Sequence, residues 1–177
     1  MLIGTFVLIL QAVASFFTAL LLVRTVMRFQ RISFIGQLGQ FVLATTNWAV
    51  RPFQKILPTV GRLDLSSLFP AWLIQVALVL LLRALAGGAD LAMLLPVALV
   101  AGTLGLIKTG LQMLMWIVII GAVLSWVNPY SPFAGPVNAF TRPFLEPIRR
   151  VVPLIANVDL SPLVLVLVIQ ILLFWLP

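Results

Sequence analysis

Long uncharged stretches alternate along the chain with short segments that hold most of the charged residues. Five stretches are apolar enough to form membrane helices: Leu2–Val23, Leu65–Leu82, Leu91–Ile107, Thr109–Val127 and Leu160–Pro177. A helix needs about 20 apolar residues to cross a hydrocarbon layer of about 30 Å. The shortest stretch, Leu91–Ile107, also contains Pro96, Gly102 and Gly105. We therefore predict four transmembrane helices, with Leu91–Ile107 as a re-entrant or interfacial segment.

Part of the sequence is repeated after 95 residues, so that Arg51–Leu78 aligns with Glu146–Leu173. The matched pairs include Pro52 with Pro147, Pro58 with Pro153, Asp64 with Asp159, Ser66 with Ser161, and Gln75 with Gln170. This register indicates a tandem duplication. The predicted fold is an all-α membrane protein built from two helix–loop–helix hairpins. The first repeat covers 1–86, an apolar joint covers 87–108, and the second repeat covers 109–177.

Each repeat has an entering helix, a basic connector rich in proline, an Asp-x-Ser segment and a returning helix. Asp64 and Asp159 are favourably placed near the positive ends of the returning helices. Ser161 followed by Pro162 is typical of a helix start, with the serine hydroxyl as the acceptor. The prolines within the connectors predict short helical pieces instead of one long amphipathic helix. Leu2–Val23 lacks a basic leading segment and a small-residue cleavage site, so we expect a retained helix.

Composition supports a membrane protein and narrows the possible chemistry. Hydrophobic residues make up 63% of the 177 and charged residues 8%, against about half and about a quarter in soluble domains. The chain has no His and no Cys, and only four acidic residues. The commonest ligands for zinc and haem are therefore missing, and no two carboxylates lie within one helical turn. We expect no catalytic, cofactor or metal site and no enzymatic activity.

The connectors are the best candidates for a functional surface. Lys55 in the first and Arg149 and Arg150 in the second lie among apolar residues, as in segments that contact anionic lipid or a partner protein. Basic residues beside membrane helices are also common topology signals, and this alternative stays open. Gln75 and Gln170 are polar groups within the returning helices, where we expect interhelical hydrogen bonds. The net charge of +7 has no accompanying nucleic-acid-binding motif, so we expect no nucleic-acid partner.

The charge distribution predicts a topology. Both connectors are basic, whereas the apolar joint is bordered by only Arg83 and Lys108 and contains Asp90. The positive-inside rule then places both connectors in the cytoplasm and the joint outside. This arrangement needs an even number of crossings, and we expect a multi-pass protein of the bacterial inner membrane. A rival with five crossings would place the second connector outside.

Two sequence motifs resemble the YggT family. The second connector reads T-R-P-F-L-E-P-I-R-R-V-V-P from Thr141 to Pro153, and A-V-L-S-W-V precedes it at Ala122–Val127. Thr46–Pro58 is a weaker copy in the first repeat. The family commonly has an acid after the Thr and a base before the second Pro, whereas Arg142 and Glu146 have the opposite order. If that segment is helical, an ion pair between them is still possible, which favours a structural role.

The resemblance implies a role in osmotic stress tolerance, cell division or nucleoid organisation, or, as for plastid members, in assembly of a membrane cytochrome. We therefore expect a non-enzymatic factor that contacts anionic lipids and other membrane proteins and that organises or assembles membrane complexes. Its oligomeric state stays open, with a homo-oligomer among the alternatives. The other function class is a small channel or transporter, because internal repeats also occur in transporters. Ionisable groups within spans usually mark a transport path, and the predicted spans offer mainly neutral amides.

Overall fold

The computed structural model describes residues 2–57, 64–87, 91–152 and 159–176, in which the regular secondary structure is helical and short turns and irregular segments join the helices. The helices are α1 (Leu2–Phe29), α2 (Gln37–Gln54), α3 (Leu65–Leu85), α4 (Leu91–Val127), α5 (Ala134–Arg149) and α6 (Ser161–Trp175). The predicted all-α class is confirmed. α2 and α5 are the connectors of the two repeats.

Three helices are long and apolar enough to cross a membrane: Ile3–Phe29 in α1, Leu65–Leu85 and Leu94–Val127 in α4. The fourth apolar helix, α6, has 15 residues, which at about 1.5 Å per residue is short for a full crossing. Many large apolar side chains on these helices are exposed, among them Phe6, Leu8, Val100 and Leu163. Such surfaces are stable in lipid and fit a membrane protein.

The prediction of a separate re-entrant or interfacial segment at Leu91–Ile107 is wrong. That stretch and Thr109–Val127 form one continuous helix of 37 residues. Pro96 lies in the second turn of the helix and does not end it. Gly102 and Gly105 serve close packing and do not break the helix. A Cβ on Gly102 would lie 2.6 Å from Val76 Cγ2, and one on Gly105 would lie 2.8 Å from Gln75 Oε1.

The chain divides into two compact units. The first unit comprises Met1–Phe29 and Ser33–Thr109, and the second comprises Gln30–Ile32 and Gly110–Pro177. In the first unit, α1 packs against α2 and α3, and α2 packs against α3. Its core consists of Leu21, Val50 and Ala71, with Ile74 and Leu106 packed against them. In the second unit, α5 packs against α6.

The connector helices α2 and α5 each have one buried face. α2 buries Gly39, Val42, Thr46, Ala49 and Val50, and α5 buries Ala134, Phe140, Thr141 and Leu145. These positions recur at helical spacing, which gives one buried side and one exposed side. The predicted short pieces are wrong, because α2 continues through Pro52 and α5 continues through Pro143 and Pro147.

Candidate functional site

In the first unit, Asp64 joins the start of α3 to the end of α1. Its carboxylate, almost fully buried, accepts hydrogen bonds from the hydroxyls of Ser66 and Ser67, the latter at 2.7 Å. Arg28 Nη1 lies 2.9 Å from Asp64 Oδ2. The backbone carbonyl of Asp64 accepts from the amides of Ser67 and Leu68 at 3.1 Å. Asp64 therefore orients the first turn of α3 and fixes it to α1.

The surroundings of Asp64 keep its carboxyl ionised. Burial alone raises the pKa of the group. The hydrogen bonds from Ser66 and Ser67 lower it, and the positive charge of Arg28 lowers it further, so the pKa lies below its usual value. These interactions favour the charged form more than burial disfavours it.

A second polar contact fixes α1 to α2. Arg24 is buried, and its Nη1 donates to Thr46 Oγ1 at 2.8 Å and to Asn47 Oδ1 at 2.9 Å. Arg24 and Arg28 lie four residues apart and therefore share one face of α1. The spacing of these two arginines is the sequence signal for the polar contacts of α1, and it was missing from the predicted site residues.

In the second unit, Asp159 orients the start of α6. Its Oδ1 accepts from the backbone amide of Ser161 at 2.9 Å, and its Oδ2 lies 2.7 Å from Arg149 Nη2 and 2.8 Å from Arg149 Nε. Burial raises the pKa of the Asp159 carboxyl, but the interactions with Ser161 and Arg149 outweigh it, and the pKa is lowered. The helix start therefore uses Asp159 as the side-chain acceptor, where the sequence predicted the Ser161 hydroxyl.

The two matched aspartates form ion pairs with arginines of different structural elements. Arg28 belongs to the entering helix α1 and Arg149 to the connector α5. The residue that matches Arg149 in the first repeat is Gln54. The Asp-x-Ser segment is thus a common helix start, whereas its ion pair differs between the repeats. Arg149 was predicted to contact lipid or a partner; in the structure it also pairs with Asp159, and half of its side chain is exposed.

The other connector cations are on the surface. Lys55 and Arg51 are exposed at the end of α2, next to the exposed Ile56. In α5, Arg142 Nε and Arg150 Nη2 lie 3.7 and 3.8 Å from the carboxylate of Glu146, one turn away on either side. These long, exposed contacts contribute little to stability.

The two matched glutamines have different surroundings. Gln75 is buried, and its Nε2 donates to Thr18 Oγ1 at 3.1 Å and to Thr109 Oγ1 at 3.3 Å. These bonds join α3 to α1 and α4, as expected for an interhelical amide. Gln170 is exposed, which differs from the prediction. α6 buries Ser161, Leu165 and Ile169, a face that leaves Gln170 to one side.

The remaining predicted motif residues are prolines. Pro52 is exposed in the last turn of α2, and Pro147 is exposed near the end of α5. Pro58 and Pro153 lie outside the described residues. Within the described ranges, no group of three or more His, Cys, Asp or Glu residues is placed to hold a metal ion.

Comparisons with known proteins agree with the duplicated sequence. The CCB3/YggT family matches the chain twice, over residues 3–85 and 100–176. The chain is 29% identical over 169 residues to the uncharacterized protein YggT of Escherichia coli K12, which covers 95% of this chain and 87% of the relative.

Relatives from other bacteria are similar over comparable lengths. A Vibrio alginolyticus protein described as an uncharacterized protein in the proC 3' region is 33% identical over 141 residues, 79% of this chain and 76% of the relative. An uncharacterized protein of Pseudomonas aeruginosa is 33% identical over 160 residues, 88% of this chain and 79% of the relative. No solved structure matches the chain. With both repeats matched, the chain belongs to the CCB3/YggT family.

Proposed function

We propose that this protein is a non-enzymatic membrane factor whose two basic connector helices contact anionic lipids at the cytoplasmic surface. Through these helices it organises or assembles other membrane proteins, with stress tolerance, cell division or complex biogenesis as the process served. The observation that carries the proposal is the position of exposed cations beside exposed apolar side chains at the carboxyl ends of α2 and α5.

Both connector ends have the composition of an interfacial segment. Lys55 is followed by Ile56, which is 77% exposed, and Arg150 is followed by Val151, which is 81% exposed. Apolar side chains of this kind insert at the boundary of the acyl chains, while neighbouring cations meet anionic head groups. The opposite face of each connector is buried, so the exposed face is held in a fixed orientation.

The proposed topology has four crossings, by α1, α3, α4 and α6. The continuity of α4 supports it, because an uninterrupted helix crosses a bilayer once. At about 1.5 Å per residue, α4 is about 55 Å long and extends beyond a hydrocarbon layer of about 30 Å. α6 is short, and Trp175 at its end is suited to anchor it at an interface.

The interior of the first unit favours a structural role over transport. The amide of Gln75 is hydrogen-bonded to Thr18 and Thr109, and the Arg24 guanidinium to Thr46 and Asn47. Polar groups that bond to one another between helices stabilise packing. A transported ion or solute would need such groups as its own ligands.

The lipid contact predicts a specific loss of bound lipid. The double variant Lys55→Gln/Arg150→Gln removes one exposed cation from each connector. Each cation near an anionic surface is worth about 1 kcal/mol, so the pair accounts for about 2 kcal/mol. We expect retention of phosphatidylglycerol by the purified protein, measured by native mass spectrometry, to fall about thirtyfold.

The matched control is Arg83→Gln/Lys108→Gln, which removes the same charge outside the connectors. Its lipid retention is expected to stay close to that of the unchanged protein. Equal retention by the two double variants would contradict the proposal, because the connectors would then have no special part in lipid binding.

A further inference from the structure

The second unit contains a cavity of about 320 Å³ between the carboxyl-terminal half of α4, α5 and α6. This volume falls at the lower end of the range of small-molecule sites, about 300–1,000 Å³. Most of its lining is apolar and includes Val118, Val123, Leu145, Leu163 and Val166. Polar side chains line it as well, among them Asn138, Thr141, Arg149 and Asp159.

The cavity corresponds by repeat to packed interior in the first unit. Leu145 and Val166 match Val50 and Ala71, which are fully buried in the first-unit core. Thr141 matches Thr46, whose hydroxyl accepts a hydrogen bond from Arg24 in the first unit. The second repeat has no arginine at the matching place.

The position matching Arg24 by the 95-residue shift is Ile119, and the position matching it in the sequence motif is Gly121. Both line the cavity. Gly121 lies close to α5, because a Cβ there would lie 3.0 Å from Val137 Cγ1. The second unit therefore keeps open a space that the first unit fills with a side chain of its own.

The rim and the charges of the cavity indicate its occupant. Val123, Trp126 and Leu163 line the cavity and are exposed, so it has an apolar border on two helices whose surfaces fit lipid. Arg149 is half-exposed at the same cavity. Its two contacts with Asp159 use Nε and Nη2, whereas a guanidinium has five N–H donors in all and binds phosphate well. The exposed Arg150 adds a second positive charge beside it.

We infer that this cavity binds one acyl chain of an anionic membrane phospholipid, whose phosphate contacts Arg149. The inference deepens the proposed function, on which it rests, by assigning a defined lipid site to one connector. The apolar lining binds the acyl chain, because burying the methylene groups of the lipid between α4 and α6 is favourable. Arg149 binds the phosphate of the head group through charge-assisted hydrogen bonds. The first unit, with Arg24 in the matching space, binds no acyl chain there.

The test fills the cavity without changing any charge. Val166→Phe and Ala122→Phe each place a large side chain in it from a different helix. Leu167→Phe is the matched control, since Leu167 is an exposed neighbour on α6 that does not line the cavity. The protein is reconstituted with phosphatidylglycerol or with phosphatidylcholine of the same acyl chains. Lipid that survives collisional activation is counted by native mass spectrometry.

We expect one tightly held phosphatidylglycerol per chain, reduced at least about tenfold in both cavity variants and unchanged in Leu167→Phe. A photoreactive acyl chain should crosslink to residues 118–126 and 160–166, and filling the cavity should abolish that product. Full retention by both cavity variants would overturn the inference, and so would equal retention of phosphatidylcholine. A different outcome would contradict the proposed function alone: the Lys55→Gln/Arg150→Gln variant keeps its lipid while both cavity variants lose theirs.

Discussion

Asp64→Ala is expected to destabilise the protein by about 3 kcal/mol. The carboxylate is almost fully buried and interacts with Ser66, Ser67 and Arg28. Its removal leaves two buried hydroxyls without their acceptor and an arginine without its counterion. Loss of one member of a buried pair typically costs about 3–5 kcal/mol, and the partial exposure of Arg28 places this pair at the lower limit. The loss is measured as reduced thermal stability in detergent.

The repeat supplies a matched comparison in Asp159→Ala. The ion pair of Asp159 with Arg149 is much more exposed, with 30% and 50% of the two side chains accessible. Exposed pairs are worth about 1 kcal/mol or less, so this variant should lose far less stability. A loss at Asp159 equal to that at Asp64 would contradict the difference in burial between the two helix starts.

Gly102→Ala is expected to destabilise the protein by about 2 kcal/mol. A Cβ at this position would lie 2.9 Å from the backbone N and Cα of Val76 in α3. A backbone atom within a helix moves only with the helix, so α3 and α4 would have to separate. Overpacking of this kind costs about 1–3 kcal/mol.

The control for this prediction is Gly4→Ala, near the start of α1. A Cβ on Gly4 would meet no heavy atom within 4 Å among the described residues. Alanine favours a helix over glycine by up to about 1 kcal/mol, so the control should be neutral or slightly stabilising. If Gly102→Ala matches Gly4→Ala in thermal stability, α3 and α4 do not approach each other as closely as described.

The sequence predicted the features that depend on local composition. The apolar runs located α3 and α6 to within three residues and α1 to within six, and the repeat placed Asp64 one residue and Asp159 two residues before their helices. The charges in the connectors were also visible, because Lys55 and Arg150 stand among apolar residues. Each of these features is carried by the residues of one short segment.

The features that the sequence did not predict depend on contacts with neighbouring helices. Gly102 and Gly105 are helix breakers in isolation, and only the closeness of α3 shows that they serve packing. Gln75 and Gln170 match by repeat, but only Gln75 has hydroxyl partners on neighbouring helices, at Thr18 and Thr109, and forms interhelical hydrogen bonds. Arg149 contacts Asp159 across the segment that joins α5 to α6, a pairing that one-dimensional spacing does not reveal.

In the proposed topology, both basic connectors lie on the cytoplasmic side of one membrane. Cysteine labelling tests it without background, because the chain has no native Cys. Gln54→Cys in α2, Ala139→Cys in α5 and Ala86→Cys after α3 place single thiols at exposed positions. In intact cells, an impermeant maleimide should label Ala86→Cys and leave the other two unlabelled until the cells are permeabilised. Labelling of Ala139→Cys but not Gln54→Cys in intact cells would contradict this topology, because the second connector would then face outward.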